Sequence, residues 1–191
     1  MTREEKLMGI LEFAKKRYGN HRDYAAKIYS DEDKQIYTDG DICCILKNKF
    51  DLSSLDTCNI TNDINYCDIS SIVKRTYRYK CFYECKIGDL KIGPKIRVEK
   101  YLNKMNLVSI HFDNQIAFVN HSDLNRLKFF LNLHKNSSIK IAYSDFCAGD
   151  DYTVNSLLNP IQICNLDNGD KGYIMTYHVY YRELEVLSNA K

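Results

Sequence analysis

The chain has 191 residues, with 27 Lys and Arg against 25 Asp and Glu and a formal charge of +2. This balance excludes a strongly basic nucleic-acid coat, although it leaves room for charge sorted between faces. With 45% apolar residues there is material for a full core, so the chain is either a single domain over 1–191 or two fused half-modules, about 1–90 and 91–191.

The spacing predicts a helix over 3–18, the best-specified element of the chain. Thr2 and Glu5 fit a capping box, Glu4 and Glu5 sit in the first turn, and Lys15, Lys16 and Arg17 occupy the last. Leu7, Ile10, Leu11, Ala14 and Tyr18 form its apolar stripe, and Gly19 supplies a left-handed stop. Residues 22–30 and 34–46 read as strands around a polar turn at Asp31-Glu32-Asp33. Residues 51–70 are rich in Asp, Asn, Ser and Thr, which favour turns, and read as an ordered connection with a short helix.

The clearest strand follows. Tyr77, Tyr79, Cys81, Tyr83, Cys85 and Ile87 alternate with Arg78, Lys80, Phe82, Glu84 and Lys86. Gly88-Asp89 turns the chain into Leu90-Lys91-Ile92, and Val98, Tyr101, Leu102 and Met105 recur at helical spacing. Residues 107–112 and 115–119 are strands flanking Asp113-Asn114. Ser122 is placed to cap a helix with Asp123 in its first turn, a stripe of Leu124, Leu127, Phe130, Leu131 and His134, and an end at 136–138. Ile139, Ile141 and Tyr143 alternate as a strand, a second strand starts at 159–163, and residues 173–180 return after a turn at 168–172. About three helices and eight or more strands describe an α+β fold with a mainly antiparallel sheet.

The eight cysteines are Cys43, Cys44, Cys58, Cys67, Cys81, Cys85, Cys147 and Cys164, with no CxxC pair. His111, His121, His134 and His178 stand at no ligand spacing to them, so neither metal nor cofactor is expected and the thiols read as small buried apolar groups. Residues 1–6 hold no apolar signal core, and no run of about 18 apolar residues occurs, so the expected setting is cytoplasmic, without membrane contact.

Asn159-Pro160-Ile161-Gln162-Ile163 and Tyr173-Ile174-Met175-Thr176-Tyr177, in that order after a helix and a strand, resemble the last half-module of bacterial DNA polymerase III beta subunits, the ring-shaped sliding clamps. That family carries an "SPV-I" strand and a closing strand reading roughly "Y-IMP-R". Thr38-Asp39-Gly40, following the first helix, echoes a turn that clamp modules carry between two strands. The two regions cover about half of the chain. Thr176 stands where the family has Pro, Tyr177-His178-Val179 replaces the rest of its ending, and a full clamp protomer has three such domains.

The resemblance implies two or three helices packed on one face of the sheet and turned toward duplex DNA, with no bond made or broken. Lys15, Lys16, Arg17, Arg22, Arg126, Lys128 and Lys135 would meet phosphates. Met175, Thr176 and Tyr177 would help form a groove for replication or repair proteins, and a single domain would encircle DNA only as a homo-oligomer. Other readings stand beside it. Cations at a helix C-terminus also complement the helix dipole. The same fold serves as a protein-interaction module of a virus or mobile element without DNA binding. Asp150 and Asp151 with Cys147 have the residue types of a metal or nucleophile site, without an evident partner. Tyr77, Tyr79 and Tyr83 beside Arg78 and Lys80 have the pattern of a base-stacking platform, which the intervening Cys81 and Cys85 turn toward a core.

Overall fold

A computed structural model of the chain describes residues 2–18, 24–30, 32–53, 55, 60–61, 79–100, 103–144, 147–149 and 151–188. Helix α1 (Arg3–Tyr18) starts at the reciprocal capping box: the Glu5 N–H donates to Thr2 Oγ1 at 3.1 Å, and the Thr2 N–H to Glu5 Oε2 at 2.6 Å. Its buried stripe is Leu7, Leu11 and Ala14. A meander follows, β1 (Ile28–Ser30), β2 (Gln35–Thr38) and β3 (Ile42–Leu46), with β4 (Ile60–Thr61) parallel to β1.

After β5 (Cys81–Lys86) come β6 (Lys91–Ile92), β7 (Ile96–Lys100), β8 (Asn103–Phe112) and β9 (Gln115–Asn120), which runs directly into helix α2 (His121–Phe130). The chain continues through β10 (Ser138–Tyr143), β11 (Cys147–Ala148), β12 (Ser156–Leu157), β13 (Ile161–Asn165), β14 (Lys171–Ile174) and helix α3 (Tyr181–Ser188).

Among the described residues the main sheet has eight strands, in the order β4-β1-β2-β3-β14-β13-β10-β5. Apart from β1 with β4, every neighbour is antiparallel. One pattern occurs twice in this order. Helix α1 leads into the meander β1-β2-β3, and α2 leads into β10-β13-β14. The final strands of the two meanders meet antiparallel at the centre, with Cys44 opposite Gly172 and Cys43 opposite Tyr173.

Strand alternation puts both helices on the same face of this sheet. Tyr37, Cys44, Leu46, Ile139, Ile141, Ile163 and Ile174 share one core with Leu7 and Leu11 of α1 and Leu124, Leu127 and Phe130 of α2. Tyr37 stacks on Phe130 with centroids 4.2 Å apart and planes 18° apart. Ile36 and Cys43 lie on the opposite face with Tyr29 and Tyr173. A second sheet has β8 at its centre, β6 and β7 along one side and β9 along the other. Its Val108, Ile110, Ala117 and Val119 join the main core, while Leu107, Phe118, Ile96 and Val98 pack under Tyr177, Val179 and Leu184.

Gly172 sits where α2 crosses the central seam. A Cβ there would run into the Leu127 Cδ1 methyl and stand 3.1 Å from Leu131 Cδ1, so any larger residue must push aside two fully buried leucines. Gly172→Ala is expected to destabilise the fold by about 1–3 kcal/mol through overpacking, read as a lower urea midpoint at unchanged slope.

Several expectations are corrected. Residues 98–105 are not helical but belong to β7 and β8, with Val98 opposite Met105, while Tyr101 and Leu102 lie outside the described residues. Asn120, not Ser122, caps α2, accepting the Ser122 N–H at 2.9 Å. The helix ends near Leu131, where Asn132 takes a left-handed φ of 51°, and His134 is exposed beyond it. Residues 34–46 form two strands divided at the Thr38-Asp39-Gly40 turn that the clamp resemblance implies, rather than one run, and β1 begins only at Ile28. The closing strand stops at Ile174 instead of reaching Tyr180, and α3 follows. Among the described cysteines only Cys43 and Cys44 are fully buried; Cys81, Cys85, Cys147 and Cys164 are half-buried. Cys58, Cys67, Gly19 and most of 51–70 lie outside the described residues.

Candidate nucleic-acid interface

The two helices form the face opposite Tyr29 and Tyr173, and α1 begins where α2 ends. Arg3 Nη2 donates to the Phe130 carbonyl at 3.4 Å, the Arg3 guanidinium carbon lies 3.9 Å from the Phe50 ring centroid, and Lys6 Nζ stands 4.9 Å from that of Phe129. Between the helices runs a groove of about 270 Å³ lined by Glu5, Lys6, Gly9, Ile10, Phe13 and Arg126.

At one end of this face lies a buried ion cluster. Asp39, in the β2–β3 turn, has no exposed surface, and its Oδ1 accepts the N–H groups of Asp41 at 2.9 Å and Ile42 at 3.0 Å. Its Oδ2 lies 2.7 Å from Arg126 Nη1, and Arg126 Nη2 bonds Asp123 Oδ1 at 2.5 Å. Desolvation pulls the Arg126 pKa down, but the charges of Asp39 and Asp123 outweigh it and hold the guanidinium above its ordinary value. Asp123 moves the other way. Burial, reinforced by Asp41 and Asp39, outweighs Arg126 and raises its carboxyl to about 6.

A second buried aspartate ties the two meanders together. Asp170, in the β13–β14 loop, is fully buried, and its Oδ1 accepts the N–H groups of Lys47 at 2.7 Å and Asn48 at 2.9 Å. Its charge favours protonated Arg3 on α1, against the burial that lowers that group. Direct contact between a turn aspartate and a helix arginine is made by Asp39 and Arg126, whereas Asp170 acts on Arg3 through its charge alone.

The Asp123 shift has a pH consequence. A carboxyl raised from its usual 3.8 to about 6 costs stability when ionised, so its contribution improves as pH falls from about 7 to about 4. The groups facing it are Asp39 and Asp41 from the β2–β3 turn, Arg126 on its own helix, and Tyr177, which also senses its charge. Asp123→Asn keeps an oxygen for Arg126 and removes the titration. Unfolding free energies of wild type and Asp123→Asn from urea curves should differ most near pH 8, by an amount on the order of 3 kcal/mol, and converge near pH 4.

The seven expected DNA-contacting residues are not equivalent. Lys15, Lys16 and Arg17 are exposed at the end of α1. Arg126 is instead consumed by Asp39 and Asp123, with 12% of its side chain exposed. Lys128 is half-buried on α2, and burial lowers its pKa. Lys135 is exposed in the turn beyond α2, its carbonyl accepting the Gly88 N–H at 2.9 Å. Arg22 lies outside the described residues.

Met175, Thr176 and Tyr177 do not form a continuous closing strand. The Met175 N–H bonds the Asp41 carbonyl at 3.0 Å, and the Tyr177 N–H bonds the Phe118 carbonyl on β9 at 2.8 Å, so this segment crosses from the main sheet to the second. Met175 is 39% exposed, Thr176 and Tyr177 are half-buried, and Tyr177 packs with Val179 and Phe118.

The remaining candidates do not converge on chemistry. Tyr83 packs into the core beside Phe112, Tyr79 is half-buried near Tyr173, and Tyr77 lies outside the described residues. Cys147 Sγ donates to Gln115 Oε1 at 3.0 Å, Asp151 is exposed, and Asp145 and Asp150 lie outside the described residues. Ser109 Oγ and His111 Nε2 are 2.8 Å apart, yet the serine is buried and the described residues give the pair no third, orienting group. Among the described residues, no three His, Cys, Asp or Glu side chains are set to hold a metal ion, and no helix is long and apolar enough to cross a membrane.

Two features of this face escape a sequence reading. Phe13 is 53% exposed, and its signal was available: it lies off the Leu7, Leu11 and Ala14 stripe and is followed by three cations. The Asp39–Arg126 pair had no local signal, because its members are far apart in sequence. Compared with known proteins, the chain matches no family model, no curated protein and no solved structure.

Proposed function

We propose that this chain is a non-enzymatic, clamp-like module of the cytoplasm that carries duplex DNA on its helical face and serves replication or repair proteins. The observation that carries this reading is the repeated helix-plus-meander. Two such units meet at the β3–β14 seam, place α1 and α2 together on one face, and leave a sheet wall behind them. This is the arrangement the sliding-clamp resemblance implies.

Charge supports it modestly. Helix α1 carries five basic residues (Arg3, Lys6, Lys15, Lys16, Arg17) against Glu4, Glu5 and Glu12, whereas the whole chain is nearly balanced. A few exposed cations give a weak, salt-sensitive hold on phosphates without base readout, which suits a protein that moves along DNA. One such module does not surround a duplex, so the reading requires several copies to assemble around it.

The test is retention of labelled duplex DNA across a salt series, read by anisotropy. Three phosphate contacts give a log–log slope of roughly −2.7, so raising salt fourfold weakens binding about 40-fold. Binding that is absent at low salt, or indifferent to salt, contradicts the proposal.

A further inference from the structure

The helical face carries a feature that an uninterrupted duplex does not use. Phe13 presents about half of its ring surface to solvent on α1, where an aromatic side chain gains nothing from water. It borders the inter-helix groove, which Gly9 and Ile10 also line. Gly9 is exposed, and a Cβ added there meets nothing within 4 Å, so the groove is open to solvent along this side. Arg17 stands over Phe13 with its guanidinium carbon 5.9 Å from the ring centroid, Lys6 lines the groove, and Lys16 is exposed one turn beyond Phe13. An apolar slot, an exposed ring and surrounding cations are the parts of a single-strand site, in which bases stack on aromatic side chains and the backbone follows positive charge. At about 270 Å³ the groove falls just below the roughly 300–1,000 Å³ of small-molecule clefts.

We propose that Phe13 and the α1–α2 groove receive an unpaired base, so that the helical face prefers DNA carrying a gap or a single-stranded stretch over continuous duplex. This rests on the DNA-binding reading and names its substrate more closely. An aromatic anchor ringed by Lys6, Lys16 and Arg17 also fits an acidic peptide. Glu5 in the groove wall opposes either anion, and the base is favoured because it continues the DNA contact on which this inference rests.

The experiment measures three DNAs of equal length by anisotropy, namely continuous duplex, gapped duplex and single strand, with wild type and Phe13→Ala. Phe13 is exposed, and its loss leaves the core intact; Phe13→Tyr preserves the stacking ring as a control. Wild type should hold gapped DNA on the order of tenfold more tightly than continuous duplex. Phe13→Ala should erase that preference with an unchanged salt slope, and Phe13→Tyr should restore it. In addition, 5-iodouracil at the unpaired position should crosslink to Phe13. Equal binding to gapped and continuous DNA, or a preference that survives Phe13→Ala, overturns this proposal and leaves the duplex reading standing. Retention of none of the three DNAs removes both. Occupation of the groove by an aromatic acidic peptide, with no DNA held, assigns the surface to protein docking and overturns the proposal as well.

Discussion

Asp39→Ala should cost about 3–5 kcal/mol of folding stability. The carboxylate has no exposed surface and stands 2.7 Å from Arg126, whose side chain is 12% exposed. Removing it leaves a buried guanidinium with Asp123 as its remaining close counter-charge. It also frees the N–H groups of Asp41 and Ile42, which hold the turn into β3. Against a typical total stability of roughly 5–15 kcal/mol, the loss is a large fraction of the whole. Asp39→Asn separates the two roles, since its amide oxygen still accepts the turn N–H groups while the charge is gone, and it should fall between wild type and alanine. The double variant Asp39→Ala with Arg126→Ala should cost less than the sum of the singles, because the stranded charge is then absent. Urea unfolding of the four proteins checks this. Additive losses would mean that the pair is not coupled.

A second large effect is expected on DNA rather than on folding. Reversing the charge of Lys15, Lys16 and Arg17 to Glu should reduce duplex affinity on the order of a hundredfold or more. The change removes three favourable phosphate contacts, worth roughly 0.9 each in the log–log salt slope, and puts repulsion in their place. These side chains are exposed at the end of α1 and belong to no buried cluster, so the fold should tolerate the change. Three acids do oppose the negative end of the α1 dipole, at typically 0.3–1 kcal/mol each. Thermal unfolding of the variant therefore accompanies the binding curve, and a small drop in midpoint with a large loss of retention is the expected combination.

Local signals made some elements legible and left others hidden. Helix α1 was readable from end to end because its cap, stripe and terminal charges all lie within a few residues of one another. The strand starting near Ser138 and the strand after Pro160 were readable from alternation, since one of their faces is buried. Residues 98–105 misled because Val98 and Met105 fit a helical period as well as a hairpin. What decides is pairing of Val98 with Met105 and of Ile96 with Leu107, which burial against the C-terminal segment then rewards. Similarly, β14 stops at Ile174 because the next residues bond to the Asp41 and Phe118 carbonyls, partners distant in sequence.

The site divided along the same line. Exposed cations at the end of α1 could be named from spacing alone. Arg126 has the same residue type, and only its meeting with a turn aspartate from the other half gives it a structural task instead. The i, i+3 spacing of Asp123 and Arg126 was a visible hint of pairing. The Asp39–Arg126 contact and the Asp170 bonds to the Lys47 and Asn48 N–H groups were not visible at all, since neither set of partners is local in sequence.

The most direct measurement compares the two faces of the molecule. One variant carries Lys15, Lys16 and Arg17 as Glu on the helical side. A second carries Lys86, Lys140 and Lys171 as Glu on the sheet side, where alternation with Cys85, Ile139 and Gly172 turns them away from the helices. Both lose the same net charge, so a nonspecific effect of overall charge must weaken them equally. If the helices bear DNA, the first variant releases duplex while the second retains it at close to wild-type salt dependence. Equal loss in both, or greater loss in the second, would contradict a helical DNA-binding face.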